Sequence, residues 1–416
     1  VRALSITGSA AVAFCLAGCA SGAPTIDEAG AGRLCAVSSV DGWSETAPSS
    51  GFGAAFERTA KKSGAAVAYG DGENGLASVL AKGCDLVIGV DSGSAEAVSA
   101  GAREHSDVAF ALVGASFVDE KGEPATLSNG RVIDVRASEA AYLAGIAAAG
   151  QTTTGRVGTL GGSADALTQS MMDAFAQGVS AYDLAHGSSV EVTGWDLVSA
   201  TGTLADPAGS VDGVDAAAKG LLDGGADILF PVAGAASRGA ATAVAASGRS
   251  EVRLIWADAT AADLVNAGAG ATQSGAQSGA QSGASASQSG AATAESGQSE
   301  SGQSGDSAQS DDSAESAGAT AAAPMSALSD TALGAIGAPV LTGVVIDWDR
   351  ILADLVSTST PARLTYRLGR GVDLAGFGAF EPMLASDLVD QLDAARADIA
   401  AGALEITTPF DLEEGR

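Results

Sequence analysis

The chain has 416 residues, 46% of them hydrophobic and only 4% aromatic, and carries a formal net charge of -29. That length admits two or three domains around cores of Ala, Val, Leu and Ile. The acidity, with no basic stripe to offset it, excludes nucleic acid as a partner and reads as a solvated, self-repelling surface.

In chain order, Arg2 is followed by an uncharged run of apolar and small residues, 3–17. This is the length of a signal-peptide apolar region and short for a membrane span. The run closes on Leu16-Ala17-Gly18-Cys19, which resembles a bacterial lipobox. In such signals the Cys becomes the first mature residue and its thiol carries a diacylglyceryl group. Two or three acyl chains, at roughly 0.8 kcal/mol per buried CH₂, hold a protein firmly to a bilayer. The expectation is a lipoprotein signal over 1–18, lipidation at Cys19, a Gly/Ala/Pro tether over 19–32, and a mature chain anchored at the extracytoplasmic face of the cell membrane. The plainer alternative is an ordinary cleaved signal with a chance Cys.

From residue 33 short apolar runs alternate with amphipathic stretches. Strands are predicted over 34–40, 65–69, 85–90, 108–113 and 131–135, with helices over 53–63, 75–81 and 95–105. Apolar runs ending in Gly, Asp or Ser and followed by helical segments imply parallel βαβ units. Cys35 and Cys84 each open a predicted strand. If those strands are neighbours in a parallel sheet, the two thiols come within disulfide range; otherwise they are two buried thiols.

A second set follows, with helices over 139–149, 166–181, 214–223 and 235–246 and strands over 156–160, 191–197, 228–231 and 253–257. Residues 269–323, with repeats of Gln-Ser-Gly-Ala, break the rhythm. They lack apolar side chains large enough to offset the entropy of ordering, so they read as a disordered surface insertion. Further strands are predicted over 340–346 and 363–368, and helices over 348–357 and 386–401. The whole reads as doubly wound α/β in two lobes with a cleft between them.

Several segments carry a family resemblance. Ser138-Glu139-Ala140-Ala141-Tyr142-Leu143-Ala144-Gly145 is similar to a helix start E-x-[AS]-[FY]-L-A-G, and Gly155-Arg156-Val157-Gly158 follows it. Gly225-Ala226-Asp227-Ile228-Leu229-Phe230-Pro231-Val232-Ala233-Gly234 is close to GAD-[VI]-[IL]-F-x-V-A-G, and Val340-Leu341-Thr342-Gly343-Val344-Val345 to VLTSVV. In this order and spacing, the chain from about 33 to 410 resembles the basic membrane protein family of lipoproteins, the PnrA-like substrate-binding components of nucleoside ABC transporters. The resemblance implies a type I periplasmic-binding-protein fold, hinged by several crossings. One lobe is expected over 33–136 and 344–368, the other over 137–268, 324–343 and 369–412, with 269–323 inserted in the second.

Ligands of open parallel sheets bind beyond the carboxyl ends of the strands. The loops there are 38–49, 90–94, 114–117, 161–165, 234–237 and the turn at Asp258. Trp43 offers a flat ring to a base, sugar or other planar ligand, or packs as a lid. Asp258 matches the acidic residue that grips ribose hydroxyls in the family, or else caps a helix. Asp41 and Asp91 follow strands, placed to meet a cation or an amine or simply to face solvent. Ser39, Ser92 and Gly234 offer hydroxyl or backbone groups. The chain also departs from the nucleoside-binding pattern. Ser39 stands at an Asp position, Ala47-Pro48-Ser49 replaces S-F-N, and Ile346 stands where nucleoside binders often have Lys.

Catalysis finds little foothold. His105 and His186 are the two histidines, without metal-ligand spacing, and no G-x-S-x-G elbow or phosphate loop occurs. The expectation is therefore a non-enzymatic, cofactor-free and metal-free lipoprotein. It would capture a small polar, nucleoside-like solute by lobe closure and pass it to an ABC permease. The alternative is a surface lipoprotein of the same fold acting as a sensor or interaction module.

Overall fold

The computed structural model describes residues 32–257, 340–357 and 362–412. The lipobox with Cys19, the insertion over 269–323 and Asp258 lie outside the described residues.

The first lobe runs β1 (Arg33–Ser38), α1 (Trp43–Thr46), α2 (Gly51–Ser63), β2 (Ala66–Asp71), α3 (Gly75–Leu80), β3 (Leu86–Gly89), α4 (Ala95–Glu104), β4 (Ala109–Val113) and β5 (Gly130–Val135). Its strands pair in parallel in the order β2-β1-β3-β4-β5. Helices on both faces explain why β3 and β4 are continuous apolar runs, buried at every position. Cys35 in β1 and Cys84, two residues before β3, are joined by a disulfide with Cα atoms 6.0 Å apart.

The second lobe begins with α5 (Ala137–Gln151), β6 (Arg156–Gly161), α6 (Ala166–His186) and β7 (Glu191–Thr193). A small hairpin of β8 (Trp195–Asp196) and β9 (Thr201–Gly202) follows, then α7 (Val211–Asp223), β10 (Ile228–Val232), α8 (Arg238–Ser247), β11 (Arg253–Trp256) and β12 (Val340–Ile346). The chain then returns to the first lobe as α9 (Trp348–Ser357), which packs on α2, and β13 (Arg363–Leu368), which adds in parallel beside β5. It crosses back as β14 (Gly371–Leu374), antiparallel to β12, and ends in α10 (Ser386–Ala401) against α5. Pairing of β13 with β14 joins the two halves into one 12-stranded, mostly parallel sheet. Among the described residues three crossings, at Arg136, Asp347 and Gly369-Arg370, link the lobes.

The α5–α6 pair is the closest helix contact of the second lobe, and glycine makes it possible. A Cβ on Gly145 would collide with the Phe175 carbonyl oxygen, and one on Gly178 with that of Tyr142. Among the described residues, no helix is long and apolar enough to cross a membrane.

Some boundaries differ from the sequence reading. The strand expected over 191–197 is broken at Gly194, whose φ of +84° turns the chain out of the sheet and into the β8–β9 hairpin. α6 runs past residue 181 to His186 and stops at Gly187, a left-handed cap whose N–H donates to the Asp183 carbonyl. Trp43, expected in a loop, opens the single turn α1. β14 carries no sequence signal of its own; four residues after a tight turn are too short to show a period.

Candidate functional site

In each lobe the strand order reverses direction at one point. β1 leads outward to β2 while β3 leads the other way to β4, and β6 and β10 do the same in the second lobe. Such switch points open a crevice at the carboxyl ends of the strands. Here the two crevices face one another and share a cavity of about 180 Å³. Its walls come from the loops after β1, β3, β6, β10 and β12.

The first-lobe wall is aromatic. Trp43, Phe52 and Trp348 line the cavity. Phe52 and Trp348 meet edge to face with centroids 5.4 Å apart, and Trp43 is braced against Tyr69 at 5.9 Å in the same manner. These contacts fix the rings before any ligand arrives. Burial, with the Glu57 carboxylate beside it, pushes the Tyr69 phenol well above its ordinary range, so it braces Trp43 as a neutral ring. The second-lobe wall is aliphatic or small, with Leu167, Met171, Val232 and Ala236.

The polar side chains of the walls are committed to the backbone around them. Asp91 accepts from Ser39 N at 2.9 Å and from Ser94 N at 2.8 Å. Asp165 caps α6, accepting from Thr168 N at 2.9 Å, Thr168 Oγ1 at 2.6 Å and Ser163 Oγ at 2.7 Å. Ser50 caps α2 through Gly53 N at 3.0 Å, and Ser38 Oγ accepts from Val40 N at 3.1 Å. Among the described lining residues there is no Lys, Arg or His, and the formal charge comes from Asp91 and Asp165. Among all described residues no group of three acidic, His or Cys side chains is arranged to hold a metal ion.

The lobes touch across the cleft. Ser92 Oγ, from the first lobe, accepts a hydrogen bond from Ala166 N at the start of α6, at 3.0 Å. Nearby, Val40 faces Gly209 and Leu167 faces Gly114.

Of the residues singled out in the sequence, Trp43, Asp91 and Gly234 line the cavity. Ser39, Asp41 and Ser92 are not among its lining residues. Ser39 holds Asp91 through its backbone, Ser92 makes the interlobe bond, and Asp41 is exposed and turned toward Gly72 beyond β2. Asp258 lies just beyond the described Ala257, which does line the cavity. Sequence reading missed Phe52 and Trp348, and it placed Asp165 at the end of the cleft loop 161–165 without singling it out as a ligand residue. The carboxyl-end rule that selected Trp43 also applies to Asp165 after β6 and Trp348 after β12; Phe52, inside the first turn of α2, carries no such signal.

Two α/β lobes, three crossings and a cavity at facing switch points define a type I periplasmic-binding-protein fold. Residues 52–266 match the profile of the Bmp family, ABC transporter substrate-binding protein PnrA-like. This is just over half of the chain, and the chain belongs to that family. Among solved structures it is similar to an ABC transporter system solute-binding protein from Aeropyrum pernix K1, at 16% identity, TM-score 0.59, covering 91% of this chain and 94% of that one. It is also similar to a transcriptional activator of the comK gene from Bacillus halodurans, at 14% identity, TM-score 0.50, covering 90% and 99%. Both likenesses are in fold. None of the curated proteins matches the sequence.

Proposed function

We propose that this protein is the solute-capturing component of an ABC importer, held at the extracytoplasmic face of the cell membrane by lipid on Cys19. It closes its lobes on a small solute that carries a flat ring and presents the closed form to a permease, without chemical turnover. The observation that carries this reading is the cavity itself: aromatic side chains from one lobe oppose an aliphatic wall from the other, so the site is complete only when the lobes meet. Closure of this kind excludes water and lets a few fixed groups set specificity.

The test is a thermal-shift screen of the full chain in detergent against nucleosides, bases, sugars and amino acids. A ligand that binds only the folded state raises the midpoint by mass action. Small-angle scattering with the best ligand is expected to retain a compact, closed particle. If no solute in the screen raises the midpoint, the capture reading fails. The anchor is tested separately: Cys19→Ala is expected to move the protein from the membrane fraction to the soluble one, and mass spectrometry of the wild-type N-terminus to find acylated Cys19.

A further inference from the structure

Resting on the solute-capture reading, in which Trp43 is a solute-facing ring, we propose that Asp71 is the residue that positions this ring. Asp71 is not among the lining residues of the cavity. It acts from outside the site, by holding the turn that carries Trp43.

The turn has no means of holding itself. Gly42 occupies the capping position of α1 at a φ of +76°, which favours glycine, and it has no side chain to receive the N–H groups that open a helix. α1 is also a single turn of four residues, far below the length at which a helix persists by itself. Asp71 supplies the missing acceptor from a neighbouring strand. Its carboxylate takes the Ser44 N–H at 2.7 Å, and Ser44 directly follows Trp43, so the bond fixes the backbone beside the ring.

The same strand fixes the ring itself. Asp71 ends β2 and Tyr69 precedes it by two residues, so both side chains leave the strand on one face of the sheet. Tyr69 meets Trp43 edge to face at 5.9 Å, and Phe56 of α2 backs Tyr69 in the same manner at 5.7 Å. Across the register from Asp71, Ser38 of β1 takes the Val40 N–H, and the Val40 carbonyl takes the Trp43 N–H at 3.2 Å. The turn is thus held by β2 at two points and by β1 at one. An aromatic wall set before the solute arrives does not draw on binding energy to become ordered. Loss of a capping acceptor weakens a turn about fivefold in its equilibrium. The fraction of protein with Trp43 in place falls with it, and apparent affinity follows that fraction.

The experiment is fluorine NMR of the full chain in detergent, labelled with fluorotryptophan, with the Trp43 signal identified by its loss in Trp43→Phe. No solute is added, so the outcome does not depend on solute capture, which the thermal-shift screen tests separately. Asp71→Ala is expected to shift and broaden the Trp43 signal, while those of Trp195 and Trp256, buried in the second lobe, stay in place. Asp71→Asn keeps a carbonyl acceptor and is expected to restore most of the wild-type signal. Glu45→Ala removes a charge from an exposed side chain of the same turn and is expected to leave the signal unchanged. A Trp43 signal that Asp71→Ala leaves in place overturns the proposal. An equal shift in Glu45→Ala or in Asp71→Asn also overturns it, because the effect is then one of charge and not of the bond. Displacement of all the signals together overturns it as well, because Asp71 then supports the fold and not the ring.

Discussion

The carboxylate of Glu139, in the first turn of α5, accepts a hydrogen bond from Arg367 Nε at 3.0 Å, 228 residues along the chain. The same carboxylate takes the backbone N–H of Leu368 at 2.8 Å. Glu139 is buried, belongs to the second lobe, and holds the last residues of β13 where the chain leaves the first lobe for β14. It therefore pins one of the three crossings to a helix. Removing one partner of a buried, hydrogen-bonded charge leaves groups that neither water nor protein satisfies. Glu139→Ala is expected to destabilise the protein by about 2–4 kcal/mol, read as a lower midpoint in urea unfolding, with Glu139→Gln losing less.

Helix contact makes a second prediction. Gly145→Ala and Gly178→Ala each drive a methyl group into a backbone carbonyl of the opposing helix, which cannot move without separating α5 from α6. Overpacking of this kind costs about 1–3 kcal/mol. Gly220→Ala, at an exposed position of α7 with open space around it, is the control and is expected to stabilise by about 0.5–1 kcal/mol. Thermal unfolding of the three variants should separate into two losses and one gain.

Across the cleft, the bond from Ala166 N to Ser92 Oγ exists only when the lobes meet. In an open form water would serve both groups, so the net contribution to closure is that of an ordinary neutral bond, about 0.5–1.5 kcal/mol. Ser92→Ala removes it without touching the cavity wall. Apparent ligand affinity should fall about two- to tenfold through a smaller closed population, and the ligand-free protein should show a larger radius of gyration by small-angle scattering.

The disulfide closes a 49-residue separation between β1 and the approach to β3, the two strands that flank the first-lobe switch point. By loop-closure entropy such a cross-link stabilises by about 2–4 kcal/mol. Cys35→Ala/Cys84→Ala should lower the unfolding midpoint accordingly, while solute affinity, set by side chains beyond the strand ends, should change little.

These relationships show which parts of the molecule were legible in sequence. The strands were legible because apolar runs such as 86–89 and 109–113 are covered on both faces and so carry their burial in composition. The cleft loops followed from strand order and the carboxyl-end rule, which placed Trp43, Asp91 and Gly234 at the cavity. Direction within a loop was not legible. Asp41 and Trp43 are two residues apart, yet one turns to Gly72 and the other to the cleft, because Gly42 between them takes a left-handed φ of +76°. Glu139 and Gly145 were visible only as letters of a motif. Their roles depend on Leu368 and Phe175, partners that spacing along the chain does not reveal.

Asp227, the acid of the Gly225-Ala226-Asp227 motif, ties the turn between α5 and β6 to the start of β10. It accepts from Thr152 Oγ1 at 2.5 Å, Thr153 N at 2.6 Å, Thr153 Oγ1 at 2.7 Å and Thr154 N at 3.0 Å. Burial alone would raise its pKa, but these donors together outweigh that and hold the carboxyl below its ordinary value. The unfolded chain therefore takes up a proton at a higher pH than the native protein does. Stability from this group is fully present above the unfolded carboxylate value of about 3.9 and is lost as pH falls through the lower native pKa. Asp227→Asn keeps the size but replaces an acceptor of four bonds with a neutral amide, one end of which faces donors. It should cost about 2–3 kcal/mol at neutral pH and a smaller amount in acid. Urea unfolding of wild type and variant from pH 7 down to pH 3 checks this. The gap between the two midpoints is expected to narrow below pH 4, and a gap that stays constant would mean that the ionised form of Asp227 does not hold the turn.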